Sequence, residues 1–367
     1  MVEKGGFLRR PPFFIQSFCA TQGPDALELL IKNTMQSSSS LFPVALMSAE
    51  RRGDLVEDVY RLKPGNSPDA TVELAVTRLG LVDQARPRGV PVILLHGSFS
   101  NRRFWYSPKG IGLGPYLARA GFDVWIAEMR GHGLSARNAT WRTNKVADYA
   151  RYDLPVIGAF VKELSGQVPH WIGHSLGGTT LAAALGGQYL GENDAASVAL
   201  FGSQVSRYYW PLKIPPVQWA GRLLLRSFEH ISGSRFKRGP EDEPVGVALE
   251  SMRWHGLFGR FGERDNHWWA GLANVRLPVL AVAAEGDHQD PPWACRLLLE
   301  RFGSGQRQFL SLGRRQGFSE DFDHVRMLVS AAAQEQVWPR VLDWLQQRPV
   351  GESLPAVEPP QGVTAET

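Results

Sequence analysis

The distribution of apolar residues along the chain changes character near residue 90. Before it, Leu55 to Leu62 and Thr71 to Leu79 carry strand patterns. In the second, Val72, Leu74 and Val76 alternate with Thr71, Glu73, Ala75 and Thr77, the period of two that a half-buried strand imposes. The join Lys63-Pro64-Gly65-Asn66-Ser67-Pro68 is dense in turn formers, so an antiparallel pair at a sheet edge is expected. Short continuous apolar runs follow: Val90 to Leu95, Phe122 to Met129, His170 to Gly173, Ser197 to Phe201, Val279 to Ala284 and Phe309 to Leu312. Strands buried on both faces of a parallel sheet need that pattern. Helical segments separate them, over Pro115 to Ala120, Val146 to Leu164, Leu176 to Tyr189, Pro292 to Phe302 and Gln334 to Gln347. The alternation predicts an α/β fold with a doubly wound, mostly parallel sheet of about eight strands.

One interval breaks the rhythm. Roughly 75 residues lie between Phe201 and Val279, too many for a structureless loop in a compact domain, so residues 203–274 are expected to form an inserted, largely helical cap. The main domain then comprises residues 51–202 and 275–348. Residues 1–50, with Pro11-Pro12, Gly23-Pro24 and the run Ser37 to Ser40, read as an N-terminal extension with room for a short helix over Asp25 to Met35. Residues 349–367 hold four prolines and almost no large apolar side chain, and a disordered tail is expected there.

Composition narrows the class. A hydrophobic fraction of 43%, with 12 Trp and 18 Phe, supplies a large core and excludes wholesale disorder. The net charge of +4 is the small remainder of 40 basic against 36 acidic residues spread along the chain, which gives no reason to expect nucleic acid as a partner. Cys19 and Cys295 cannot build a disulfide framework and sit in no metal-ligand spacing. Gln16 and Ser17 interrupt the apolar Phe13-Phe14-Ile15 short of signal-peptide length, and no run approaches the ~20 apolar residues of a membrane span. A soluble, cytoplasmic protein is the expectation.

The strongest chemical signal is Gly173-His174-Ser175-Leu176-Gly177-Gly178, a G-x-S-x-G pattern directly after an apolar strand and directly before a helical run. A serine hydroxyl is a weak nucleophile unless a base can reach it, and a tight strand-to-helix turn lifts it clear of the backbone. Glycines two positions either side leave room for that turn, and the amide of Leu176 points where negative charge develops on an attacked carbonyl. The alternative for so short a pattern is a glycine-rich turn without chemistry. Upstream, Val92-Ile93-Leu94-Leu95 runs into His96-Gly97-Ser98-Phe99, where the amide of Ser98 is a candidate second oxyanion donor; the plainer account is a loop whose histidine caps the strand end. Arg130-Gly131-His132-Gly133-Leu134-Ser135 reads as a structural turn held by its arginine.

These three motifs, in this order, resemble the α/β-hydrolase superfamily over roughly residues 55–348, and Gly114 to Trp125 is similar to its esterase and lipase branches. Serine at the elbow argues against the reactions of relatives that carry cysteine or aspartate there. The resemblance implies an order of nucleophile, acid, histidine. Glu285-Gly286-Asp287-His288-Gln289-Asp290-Pro291-Pro292 is similar to the family's acid motif and puts Asp287 in the acid position, with Asp290 a competitor that also suits capping of the next helix. Of the nine histidines only His288 and His324 follow the acid strand; His324, in Phe322-Asp323-His324-Val325-Arg326, takes the position of the base, although Asp323 stands where the family usually has glycine.

The function so implied is hydrolysis of a carboxylic ester or thioester of an apolar acid through a Ser175–His324–Asp287 triad and an acyl-enzyme, with no metal or organic cofactor required. The alternatives are an acyltransferase using the same triad, and a catalytically inactive hydrolase fold that binds. Trp210, Trp219, Trp254, Trp268, Trp269, Tyr208, Tyr209, Phe228, Phe236, Phe258 and Phe261 crowd the expected cap, where they would line an acyl pocket, form the cap's own core, or both. Seven basic residues and one acid, Glu229, between Ser203 and Pro240 would suit anionic lipid or a coenzyme A thioester; a solvated face is the commoner explanation.

Overall fold

A computed structural model of the protein describes residues 38–82, 88–347 and 351–354. The expected helix over Asp25 to Met35 lies outside them. The strands in chain order are β1 (Val44–Arg52), β2 (Leu55–Leu62), β3 (Leu74–Leu81), β4 (Pro91–Leu95), β5 (Asp123–Glu128), β6 (His170–His174), β7 (Ser197–Phe201), β8 (His230–Ile231), β9 (Glu243–Pro244), β10 (Val279–Ala284), β11 (Arg307–Leu312) and β12 (Glu352–Ser353). Ten of them form one sheet in the order β1-β2-β3-β5-β4-β6-β7-β10-β11-β12, and β8 pairs with β9 apart from it. The run from β5 through β11 is parallel, with antiparallel strands at each edge.

Parity along the central strands divides the core in two. Ile93 and Leu95 of β4 join Trp125 and Ala127 of β5 on one face, whereas Val92 and Leu94 join Val124 and Ile126 on the other. Helices α1 (Leu113–Arg119) and α7 (Trp338–Leu345) cover the second face; α2 (Leu154–Ser165), α3 (Leu176–Gly186) and α6 (Pro292–Leu299) cover the first. Burial on both sides is why these strands read as unbroken apolar runs.

Three differences from expectation have local causes. β1 lies within the stretch read as an extension; most of its side chains are at least partly exposed and its second half is Ser48 to Arg52, so alternation is weak there. The run Val146 to Leu164 is divided by a wide turn over Tyr149–Asp153, because Pro155 has no N–H to donate to the Arg151 carbonyl. In the tail expected to be disordered, β12 pairs with β11 and Leu354 is buried.

Between β7 and β10, residues 202–278 carry α4 (Pro215–Arg226), the β8–β9 pair, α5 (Val245–Trp254) and shorter helical turns. Trp254, Phe261 and Trp268 pack edge to face, with centroids 4.9 to 5.8 Å apart, and join the core on the first face of the sheet. By contrast Tyr209, Trp210, Trp219, Phe228, Phe236 and Phe258 are exposed. No helix among the described residues is long and apolar enough to cross a membrane.

Candidate active site

Ser175 sits between β6 and α3 with φ 53° and ψ −119°, a left-handed conformation that a serine adopts only under constraint. Its amide donates to the Phe201 carbonyl at 2.8 Å, and the Ser203 hydroxyl reaches the Ser175 carbonyl at 3.1 Å. The flanking glycines are required by close approach. A Cβ on Gly173 would lie 2.5 Å from the Gly178 nitrogen, and one on Gly177 would lie 2.6 Å from the His96 carbonyl oxygen. Leu176 opens α3, so its amide has no intrahelical acceptor and is free for a ligand.

The acid and histidine loops meet beside this turn. His324 Nδ1 lies 2.6 Å from Asp287 Oδ2, while Asp287 Oδ1 accepts the amides of Gln289 at 2.8 Å and Asp290 at 2.9 Å. Asp290 is further away, 3.8 Å from the same His324 nitrogen, and takes a hydrogen bond from the Gln204 side chain at 3.0 Å. It does not cap α6, whose N-cap is Pro291 and which has no side-chain cap; Asp287 Oδ1 instead collects the two amides of the turn that precedes the helix. His288 is exposed. Asp323, in the family's glycine position, accepts the amides of Val325 and Arg326 and so shapes the turn that presents His324.

Electrostatics separate the two carboxylates. Burial pushes the Asp287 carboxyl up, but the His324 hydrogen bond and charge outweigh it and hold the group below its ordinary value. Burial of Asp290 is not so offset, and its carboxyl is pushed up to about 6. Burial alone would lower the His324 imidazole; the bond to Asp287 reverses this and raises it. Asp287, Asp290 and His324 are also the group of metal-ligand type found among the described residues, with donor atoms within 4.8 Å. The short Asp287–His324 hydrogen bond already engages two of those atoms.

His174, next to the serine, is a residue that sequence reasoning did not assign. Its ring lies 4.6 Å from that of His324 and its Nε2 donates to the His324 carbonyl at 2.8 Å, which ties the histidine loop to the elbow across 150 positions. Burial keeps it neutral, with its value lowered to about 3. Among the described residues no hydrogen bond joins Ser175 Oγ to His324.

His96 is neutral for the same reason, lowered to about 3; it accepts the Met129 amide and donates to the Gly97 carbonyl, bracing the loop that carries Ser98. Arg130 Nε and Nη2 both donate to Asp153 Oδ1 and its backbone amide donates to Oδ2, a buried ion pair in the structural role expected of that motif. Ser98, Ser175 and Leu176 open on a cavity of about 280 Å³ whose other walls include Val146, Val205, Ile231, Val247 and Trp254. Of the aromatic residues of 203–274, Trp254 lines this cavity.

An elbow serine on a doubly wound sheet, with the acid and histidine loops brought against it, is the arrangement of the α/β-hydrolase fold. The family model for that fold matches residues 90–205. Lipase member N of Mus musculus is 34% identical over 138 residues, which are 33% of this chain and 34% of that protein. Triacylglycerol lipase 2 of Arabidopsis thaliana is 32% identical over 136 residues, 35% of this chain and 31% of the relative. The chain spans about a third of the length of these curated relatives. The solved monoacylglycerol lipase of Paleococcus ferrophilus shares the fold at a TM-score of 0.52 and 17% identity, covering 75% of this chain and 98% of that one. The protein has the α/β-hydrolase fold and is similar to esterases and lipases built on it.

Proposed function

We propose that the protein is a carboxylic ester hydrolase acting on esters or thioesters of apolar acids. The observation that carries this reading is the 2.6 Å His324–Asp287 contact beside a strained serine elbow that opens on an apolar-walled cavity. Ser175 Oγ attacks the acyl carbon as His324 Nε2 takes its proton, after a side-chain rotation of Ser175 or His324 has brought the two into contact. Asp287 fixes the imidazole with its proton on Nδ1 and stabilises the imidazolium. The amides of Leu176 and Ser98 receive the oxyanion. His324 then protonates the departing alcohol or thiol, and water activated by the same ring releases the acid from Ser175.

Residues 202–278 serve as the cap in this reading. The outward side of α4 exposes Trp219, Leu223 and Leu224 and carries Arg222 and Arg226, a combination suited to an anionic lipid surface. The experiment that tests the core of the proposal is labelling with a fluorophosphonate. Wild type should be labelled stoichiometrically, and Ser175→Ala should lose both the label and p-nitrophenyl ester hydrolysis, by about 10⁴-fold or more. Folded wild type that takes no label would leave the hydrolase-fold binding protein as the better reading.

A further inference from the structure

The cap segment grips the loop that carries the proposed oxyanion donor, and it does so with a buried carboxylate. Glu243, the first residue of β9, is 3% exposed. Its Oε1 accepts the Phe99 amide at 2.6 Å and a hydrogen bond from His132 Nε2 at 3.1 Å. A bond that short from an amide to a carboxylate is charge-assisted and stronger than a neutral one. The second ring nitrogen of His132 faces the Arg130 carbonyl at 3.3 Å. An acceptor thus stands before each nitrogen, and although burial opposes it, the Glu243 carboxylate raises the affinity of the ring for a proton.

Phe99 is held from its other side as well. Its carbonyl accepts the Glu241 amide at 3.0 Å, and Asn101, two residues on, donates to the Glu241 carboxylate at 2.5 Å. The contact is close: a Cβ on Gly239 would lie 2.1 Å from the Phe99 carbonyl oxygen. These bonds fix Phe99 at φ 58°, a conformation that a bulky aromatic residue does not hold unaided. Ser98 is thus trapped between this clamp and Gly97, where a Cβ would lie 3.0 Å from that of Ser175. Once the peptide planes on both sides of Ser98 are set, so is the direction of its amide.

We propose that Glu243 is a positioning residue for the oxyanion loop, making a competent hole conditional on the cap segment being seated. The inference rests on the esterase reading above and adds to it a residue that touches no reacting atom. It also distinguishes acceptor geometry from charge. Glu243 Oε2 has no hydrogen-bond partner among the described residues, so a glutamine can turn its nitrogen there and keep its oxygen as acceptor of the Phe99 amide, giving up only the charge opposite His132 and the solvation of one amide group.

The test compares Glu243→Ala, Glu243→Gln and Glu243→Asp with wild type in p-nitrophenyl butyrate hydrolysis, with thermal unfolding recorded for each. Loss of one oxyanion donor costs about 10²–10³ in kcat. Glu243→Ala should lose at least tenfold in kcat because the loop is freed; Glu243 also borders the acyl cavity, so kcat and not KM is the quantity compared. Glu243→Asp keeps the buried charge opposite His132 but is one methylene too short, and should show the same kcat loss even if the alanine variant unfolds. Glu243→Gln should recover to within about threefold of wild type. Unchanged kcat in the folded aspartate variant, or a glutamine variant no better than it, overturns the proposal. A wild type without esterase activity or fluorophosphonate label overturns the esterase reading and the clamp with it; an active wild type whose variants do not follow this ranking overturns the clamp alone.

Discussion

Replacing Asp287 by asparagine changes one atom, and the structure dictates which way the new group must turn. Asp287 Oδ1 faces two backbone amides, from Gln289 and Asp290, that can only donate. The asparagine oxygen must stay there, for the reverse orientation sets NH₂ against two N–H groups and forfeits both bonds. The NH₂ therefore takes the position of Oδ2, 2.6 Å from His324 Nδ1, and as a donor it demands an unprotonated Nδ1. The proton moves to Nε2, the nitrogen that has to accept from Ser175. Selecting the wrong tautomer in a triad costs about 10⁴-fold in kcat, or roughly 5.5 kcal/mol of transition-state stabilisation. Asp290→Asn should cost less than about threefold, because its carboxylate lies 3.8 Å from Nδ1, outside hydrogen-bonding range.

The assay is p-nitrophenyl ester turnover normalised to fluorophosphonate-titrated sites. It also has a pH readout. His324 must be neutral to act as base, and Asp287, Asp290 and Asp323 all raise its affinity for a proton against burial, so the acid limb of kcat/KM should lie above the ordinary histidine value of 6.5. Activity is lost as pH falls through that limb. Asp290→Asn removes one neighbouring negative charge and should move the limb to lower pH while leaving the plateau nearly intact. An Asp287→Asn enzyme retaining more than about 1% of kcat, or an Asp290→Asn enzyme that is the more damaged of the two, would refute the assignment.

Two further expectations follow from the cavity and the core. Along p-nitrophenyl esters from acetate to decanoate, kcat/KM should rise several-fold for each pair of carbons, at roughly 0.8 kcal/mol per buried methylene. The rise should stop early, since a cavity of about 280 Å³ is at the small end for ligand sites; a flat series would sink the apolar-acyl proposal and leave the serine chemistry untouched. Arg130→Ala strips the partner from the buried Asp153 carboxylate and should cost about 3–5 kcal/mol in urea unfolding. A loss under about 1 kcal/mol would mean the pair does not hold the turn after β5.

The order of the main elements was legible in the sequence because local pattern and tertiary environment agree. β4, β6, β7 and β10 are covered on both faces by helices, and that burial is written directly as unbroken apolar runs. The elbow at Ser175 was legible for a related reason: a turn this tight needs glycine at 173 and 177, and the need leaves a mark within five residues. The edges were not legible. β1 is mostly exposed or half-buried along its length, and β12 rests on two residues of pairing, so neither imposes a pattern on its own segment. Asp287 and His324 could be named from family order, but the preference for Asp287 over Asp290 is a matter of 2.6 against 3.8 Å, set by how the loops after β10 and β11 turn. The sorting of the aromatic residues of 203–274 into a buried trio, of which Trp254 also walls the cavity, and an exposed set was decided in the same way, since helical spacing marks a face and not what covers it. His174 against His324, and Glu243 against Phe99, join residues 150 and 144 positions apart. No local pattern records such contacts, because a hydrogen bond between distant segments places its demand on their separation and orientation, and both are products of the packed sheet.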